Sequence, residues 1–491
     1  MMNDASENVV TRFAPSPTGF MHIGGIRTAL FAYLWARKNN GTFILRIEDT
    51  DKEREVAGSI EHIQESLSWV GIDWDFGPNK PGPFGSCIQS ERLDTYIAAA
   101  RELLAKGYAY PDPYSSQEIA GFRALADSEK RPFLMRNHRP EQFLEWDGKA
   151  PLRFKVPSVK ISQWHDEVRG DLTAGEEAVD DFILIKGDGY PTYNFAHIID
   201  DRAMGVTHIF RGDEFISSTP RFLSLYEALG IAPPKFVTMP PILRSDKSKK
   251  LGKRDGAKDI LEYRTEGYLP EAMFNFLALI GWNPGTEQEL FSKSELLAAF
   301  DIARIQTHGG TSNEEKLRWI NREYLLKFTS EEFTSYISPF VTSALSNRGV
   351  SIQPETLSQV INLIRERIHV ASDITAIINA GEFDYYAVDP KVEAAQLPAK
   401  DESAEEVKQH LTAVLQILTD AESAIYADAE QIKALLWDYA TEHGRGKVLW
   451  PLRYALSGAE KSPDPFIIAS IIGKDATLRR ISKALSQLET L

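Results

Sequence analysis

Cysteine is nearly absent from this chain: 491 residues contain one, Cys87. A single thiol excludes an internal disulfide and any zinc knuckle built from several cysteines, and it suits a reducing compartment. The ten histidines include no pair three to five residues apart, the nearest neighbours being His197 and His208, so a helical metal site is not expected either. Also missing is any run approaching the roughly 18 consecutive apolar residues of a membrane span. The first residues, MMNDASENVVTRF, place acids ahead of any apolar stretch and lack the basic and hydrophobic regions of a signal peptide. A soluble, cytoplasmic protein is the expectation. No fixed-period repeat and no low-complexity tract interrupts the sequence.

Positive charge is the minority sign, with 55 Lys and Arg against 70 Asp and Glu, a net −15. An acidic total argues against a nucleic-acid partner only where the charge is evenly spread, and here it is not. Residues 401–440 hold nine acids and two lysines, about half of the excess, whereas RSDKSKKLGKR at 244–254 holds six bases and one acid. That basic loop suits phosphates. The remaining composition, 43% hydrophobic, 10% aromatic and 25% charged, is that of a globular protein. At about 100 to 200 residues per domain the length allows roughly three to five domains.

Residues 9–48 read as a βαβ unit: extended VVTRFA, the turn PSPTG, an amphipathic helix with Ile26, Leu30, Phe31, Leu34 and Trp35 at helical spacing, then TFILRIE. A parallel strand pair joined by a crossover helix is the consequence. A second helix carries Ile60, Ile63, Leu67 and Val70 on one face, and GIDWDFGPNKPGPFG breaks it with four Gly and three Pro. Residues 93–194 read as an insertion before strand-like runs return in THIFRGDEF. Beyond about 255 the patterns are helical, in EAMFNFLALIGW, EEKLRWINREYLLKF, SQVINLIRERIHVASDI and IKALLWDYATEHG.

Three segments carry candidate chemistry. PSPTG joins a strand to a helix that opens with His22-Ile23-Gly24-Gly25, where backbone N–H groups and an imidazole suit an anion and glycines let a flat nucleotide approach; a turn serving only packing reads the same way. The exit Arg46-Ile47-Glu48-Asp49-Thr50-Asp51 sets three carboxylates near the mouth of the sheet, where α/β ligands bind. General acid–base chemistry, a bound cation, a grip on an amine and a solvated turn all remain open there. Lys250-Leu251-Gly252-Lys253-Arg254 offers cations that can follow charge developing on a triphosphate, or simply a solvated basic loop.

In order along the chain, TRFAPSPTGFMHIGGIRTALF, LRIEDTD, GYPTYNFAHIIDD, THIFRGDEF, KKLGKR, GYLPEAMFNFLALIGW and GKVLWPLRYALSG resemble the blocks of the bacterial-type glutamyl-tRNA synthetases, a class I family. HIGG and KLGKR stand for its two signatures. The resemblance implies an α/β Rossmann-type catalytic domain, split over 1–92 and 195–245, with an inserted α/β acceptor-binding domain at 93–194. All-α domains follow: a stem-contact domain at 246–328 and two anticodon-binding domains at 329–384 and 385–491. It implies a glutamate–tRNA ligase that forms glutamyl-adenylate from ATP, with Mg2+ on the phosphates, then charges tRNA(Glu), or tRNA(Gln) as well in a non-discriminating enzyme. A monomer is the family expectation.

Position by position, Arg12 would hold the substrate's side-chain carboxylate in a planar fork, Ala14 and Ser16 would line its pocket, Glu48 would take the α-amino group, and Tyr193, His197 and Arg211 would close the other side. His22, Gly24, Gly25, Glu214 and Leu243 would meet ATP, Lys253 and Arg254 the leaving pyrophosphate, and Arg365 or Arg367 the anticodon. At His197 several members carry another residue. Some relatives also have zinc-binding cysteines just after the position of Tyr110, but YAYPDPYSSQE has none and no zinc is expected. Three alternatives are a glutaminyl enzyme, disfavoured by the helical C-terminus, a truncated paralogue that modifies a tRNA nucleoside, disfavoured by length, and a non-catalytic RNA-binding relative, disfavoured by His22, Lys253 and Arg254.

The family's second signature usually has Ser where this chain has Gly252, which removes a hydroxyl and adds about 0.5 to 1 kcal/mol of backbone ordering. Gly252→Ser is therefore expected to quicken single-turnover activation, and an unchanged rate would refute this.

Overall fold

The computed structural model describes residues 8–246, 249–252, 257–399 and 402–489. They form two compact units, 1–320 and 321–491. The first opens with the βαβ unit that its periodicity predicts: β1 (Val10–Phe13), α1 (Ile23–Lys38) and β2 (Thr42–Leu45), with β1 and β2 parallel and Arg12 opposite Ile44. His22 caps α1, and Ile26, Leu30, Phe31 and Leu34 are fully buried, each contributing about 1.5 to 3 kcal/mol. The helix ends at Asn39-Asn40-Gly41. Asn40 has a positive φ of 52°, and a Cβ on Gly41 would lie 2.0 Å from the Val9 carbonyl oxygen, so only glycine lets β2 start beside β1.

The chain continues through α2 (Ser59–Val70), α3 (Leu93–Ala105), β3 (Ala109–Pro111), α4 (Ser116–Ser128), β4 (Leu152–Phe154), β5 (Ser162–Asp166), β6 (Gly170–Ala174) and β7 (Ile183–Ile185). Next come α5 (Tyr193–Ala203), β8 (His208–Gly212), α6 (Thr219–Leu229), β9 (Lys235–Met239) and β10 (Ile242–Leu243). The main sheet has the order β2-β1-β8-β9-β5-β6, parallel except for β6. Its strands turn outward in opposite directions from β1 and β8, the switch point at which open α/β sheets bind ligands. Residues 93–194 supply a three-stranded antiparallel sheet, β3-β4-β7, and also lend β5 and β6 to the main sheet. One apolar core joins them, running from Ile44 through Tyr96, Phe154 and Leu184 to Phe195 and Phe236.

The first unit continues with α7 (Ile260–Glu266), α8 (Pro270–Leu279), α9 (Lys293–Ala299), β11 (Gly310–Thr311) and α10 (Glu314–Leu325), which contains the division between the units. The stretch read as all-helical thus includes β11, parallel to β10. Two-residue strands leave no alternation to detect.

The second unit is helical: α11 (Ser330–Arg348), α12 (Pro354–Ile364), α13 (Asp373–Asn379), α14 (Asp384–Ala387), α15 (Ala404–Asp420), α16 (Ala429–His443), α17 (Arg445–Ser457) and α18 (Pro465–Leu488). One reading is corrected here, because INLIRERIHV is not a single helix. The α-helix stops at Ile364, a 3₁₀ turn spans Arg365–Arg367, and Ile368 is extended. At the break Arg365 donates to the carbonyls of Leu325, Leu326 and Phe328. No helix among the described residues is long and apolar enough to cross a membrane.

Candidate active site

The switch point gathers side chains from three strand ends and one helix. Arg12 lies in β1, Arg46 and Glu48 follow β2, Arg211 lies in β8, and α5 presents Tyr193, His197 and Asp201 at four-residue spacing on one face. Arg46 is completely buried and donates to Asp201 at 2.6 Å and to Glu48 Oε1 at 2.9 Å. Arg12 Nε donates to the same Asp201 oxygen at 3.1 Å. Behind them Asp200 accepts from Arg92 Nε, Gln89 and the Tyr96 hydroxyl, each at 2.8 Å.

Burial opposes ionisation of Glu48, Asp201 and Arg211, and neighbouring charges answer it unequally. Burial disfavours the Asp201 carboxylate, yet Arg12 and Arg46 outweigh it and hold its carboxyl well below the usual range. For Glu48 burial wins and raises the pKa, although Arg46 and Arg12 pull it down. Burial, with the Glu48 charge beside it, also raises the Tyr193 phenol and keeps it neutral. Arg211 is different. Its guanidinium packs 5.0 and 4.9 Å from the ring centroids of Phe222 and Phe236, burial lowers its pKa, and both terminal nitrogens lack a hydrogen-bond partner among the described residues. Four buried arginines, Arg12, Arg46, Arg92 and Arg211, thus face three buried carboxylates, Glu48, Asp200 and Asp201. The surplus is one positive charge.

The carboxylate-rich exit resolves into separate roles. Glu48 remains beside a cavity of about 840 Å3 that Ser16 and Tyr193 also line. Asp49 instead accepts from the backbone and hydroxyl of Ser90 and from Lys52, a structural anchor, and Asp51 is exposed. Ala14 is half-buried, and the Glu48 N–H donates to Pro15 O at 3.0 Å, which holds the PSPTG turn against the exit of β2.

A second cavity, about 380 Å3, opens at the start of α1 and is lined by His22, Gly24, Gly25, Glu214, Ile242 and Gly252 among others. The His22 ring accepts the Gly24 N–H at 3.0 Å, and the Gly25 N–H donates to the His22 carbonyl at 3.1 Å. Both N–H groups expected in an anion cradle are therefore engaged within the turn. A Cβ on Gly24 would stand 2.7 Å from the His22 ring, so this glycine is demanded first by the cap. Glu214 pairs with Lys250 at 2.9 Å. Leu243 is half-buried against Gly309, and its neighbour Ile242 lines the cavity. Lys253 and Arg254 lie outside the described residues.

Sequence reasoning missed Asp200 and Asp201, whose only local signal was a pair of acids directly after the apolar Ile198-Ile199 in α5. It also missed Arg27, buried beside the second cavity and donating to the carbonyls of Pro240 and Ile280. In the second unit a cavity of about 510 Å3 is lined by Arg367, Glu382, Tyr385, Tyr386, Pro463 and Ile467 among others. Arg367 pairs there with Glu382 at 2.6 Å, while Arg365 is spent on the carbonyls that end α10.

A family model described as tRNA synthetases class I (E and Q), catalytic domain, matches residues 8–319, and an anticodon binding domain model matches 332–485. A glutamate–tRNA ligase of Clostridium botulinum (strain Hall) is 37% identical over 500 aligned positions, covering 99% of this chain and 100% of the relative. One from Anaeromyxobacter sp. (strain K) is 38% identical, covering 96% and 97%. Among solved structures, a glutamate tRNA ligase from Elizabethkingia meningosepticum in complex with its amino acid is similar with a TM-score of 0.85 at 35% identity, covering 98% of this chain and 100% of that one.

His197 supplies a test of the pocket's dryness that needs no substrate. Burial lowers its pKa from 6.5 to about 4, with the Asp201 charge opposing and Arg211 and Arg12 assisting. Between those values the unfolded chain binds a proton that the folded chain refuses. Stability is therefore fully present above pH 6.5 and falls as the pH drops towards 4, by about 3 kcal/mol at most. His197→Asn is expected to flatten the dependence of the urea midpoint on pH in this window, and an unaltered slope would mean that the ring titrates as in water.

Proposed function

The chain belongs to the class I tRNA synthetases of the glutamate and glutamine type, and from that premise we propose how its own residues divide the work of a glutamate–tRNA ligase. The activity is the joining of glutamate to tRNA. The observation that carries the assignment of residues is the buried Arg211 guanidinium, whose terminal nitrogens have no hydrogen-bond partner among the described residues, in a buried cluster with one surplus positive charge. Glutamate, with two carboxylates and one ammonium, brings the single negative charge that balances it.

In this reading Arg211 and Arg12 grip the side-chain carboxylate, and Tyr193 and His197 close over it. Glu48 takes the ammonium through the oxygen that Arg46 leaves aside, with Ala14 and Ser16 as wall. Glutamine would leave a buried cation unanswered, a penalty of several kcal/mol, and that is the source of selectivity. ATP occupies the neighbouring cavity at His22, Gly24, Gly25 and Glu214, beside the backbone of Leu243, and magnesium travels with its phosphates. The α-carboxylate of glutamate attacks the α-phosphorus, Lys253 and Arg254 attend the departing pyrophosphate, and the terminal 2′-hydroxyl of tRNA then takes the acyl group. No enzyme-bound covalent intermediate is required. Catalysis is positioning together with fixed charge.

The large cavity at Ser16, Glu48 and Tyr193 suits the tRNA 3′ end, with residues 93–194 as acceptor-binding insertion and 246–328 as stem contact. The helical segments 329–384 and 385–491 read the anticodon. Arg367, beside Tyr385, Tyr386 and Pro463, suits an unstacked base held by stacking and a guanidinium. Arg365 does not, because its Nη2 is held by the carbonyls of Leu325, Leu326 and Phe328 and it does not line that cavity.

Charging of tRNA(Glu), and separately tRNA(Gln), with labelled glutamate and ATP tests the function. Glutamate on the first alone is expected of a discriminating enzyme, glutamate on both would mean a relaxed anticodon site, and charging of neither would end the catalytic reading. Arg367→Ala is expected to lower kcat/KM for tRNA by about tenfold to a hundredfold, whereas Arg365→Ala lowers the melting temperature. The reverse pattern would return the anticodon role to Arg365.

A further inference from the structure

His62 of α2 stands between the two signature segments. Its Nε2 lies 2.7 and 2.9 Å from the two carboxylate oxygens of Asp259. On the other side of the ring, Nδ1 accepts from the Met21 N–H at 3.4 Å and from the Ser66 hydroxyl at 3.2 Å. Two donors at Nδ1 place the proton on Nε2, where it serves Asp259. Phe20 covers the ring at 4.6 Å between centroids, and the two side chains are only 11% and 21% exposed.

Both partners adjoin His22, which lines the second cavity. Met21 precedes His22, the cap of α1. Asp259 caps α7 by accepting from the Leu261 N–H at 2.9 Å, forms an antiparallel bridge with His22, and is followed by Ile260, whose N–H donates to Met21 O at 2.9 Å. Described residues on either side of Lys253 and Arg254 are fastened by backbone hydrogen bonds. Upstream, the Leu251 N–H donates to Ile242 O at 2.7 Å and the Arg244 N–H to Lys249 O at 3.0 Å. Downstream the chain is held where Asp259 meets Met21, and the Ala257 N–H closes on Gly252 O at 3.3 Å.

We propose that His62 is a positioning residue for adenylate formation: by holding Asp259 against Met21 it keeps the chain that follows the second signature, at Asp259 and Ile260, in register with the start of α1. It touches no substrate and acts through both segments. The proposal rests on the reading that ATP binds at His22, Gly24 and Gly25. Small misplacements of groups that attend a reaction are amplified in rate, so a contact remote from the phosphates can govern how ATP is used.

The test uses the full-length chain, charging tRNA(Glu) at varied ATP, with His62→Ala, His62→Asn and His62→Gln. Glutamine carries its amide nitrogen to where Nε2 sits and can still donate to Asp259, whereas asparagine reaches only the Nδ1 position. His62→Ala and His62→Asn are expected to lower kcat/KM for ATP about tenfold, His62→Gln to retain it within about threefold, and KM for glutamate to stay unchanged in all three. Asp259→Asn keeps the α7 cap and is expected to match His62→Asn, with the double variant no worse than either. Wild-type use of ATP by His62→Ala would overturn the proposal, as would an equal fall in the Asn and Gln variants that tracks a lowered melting temperature. A wild-type chain that charges no tRNA would overturn the function and this proposal together, and that failure is visible before any substitution is made.

Discussion

The Arg46 guanidinium is wholly shielded from water, and it is tolerated because Asp201 and Glu48 stand 2.6 and 2.9 Å away. Isolated charges do not survive in such surroundings, so each neighbour has to be matched in turn. Asp201 is shared with Arg12, and Asp200 behind it is shared among Arg92, Gln89 and Tyr96. The network ties β1, the exit of β2, α3 and α5 into one rigid floor. Its last member, Arg211, has no hydrogen-bond partner for its terminal nitrogens among the described residues.

That floor also explains how two cavities share one sheet. The PSPTG turn is held to the Glu48 N–H through Pro15, so the segment that walls the cavity at Ser16 is the same one that delivers His22 to the start of α1.

Residue type alone did not decide roles in either unit. Glu48 and Asp49 are adjacent carboxylates, but one faces the cavity and the other is consumed by Ser90 and Lys52. Arg365 and Arg367 are two positions apart, but one ends a helix and the other faces an aromatic cavity. In each case the deciding factor is which backbone donors and acceptors lie within reach, a property of neighbours distant in sequence.

Much was legible in the chain itself. The switch from strand to helix period across residues 9–48, the His22 and Gly41 boundaries of α1, and the helical second half are local patterns that burial of apolar faces enforces. The family resemblance implies that Arg12, Glu48, Tyr193, His197 and Arg211 act together, and the fold sets them in β1, after β2, on α5 and in β8. Hidden from such reading were the short strands β10 and β11, which make no period, the end of α12 at Ile364, and Asp200, Asp201 and His62, whose importance lies chiefly in partners between 41 and 197 residues away. The sequence by itself determined the elements and the chemistry on offer, because both depend on near neighbours and residue type. Only the tertiary structure decided which charges are matched and which one is left waiting, because pairing and burial are set by long-range packing.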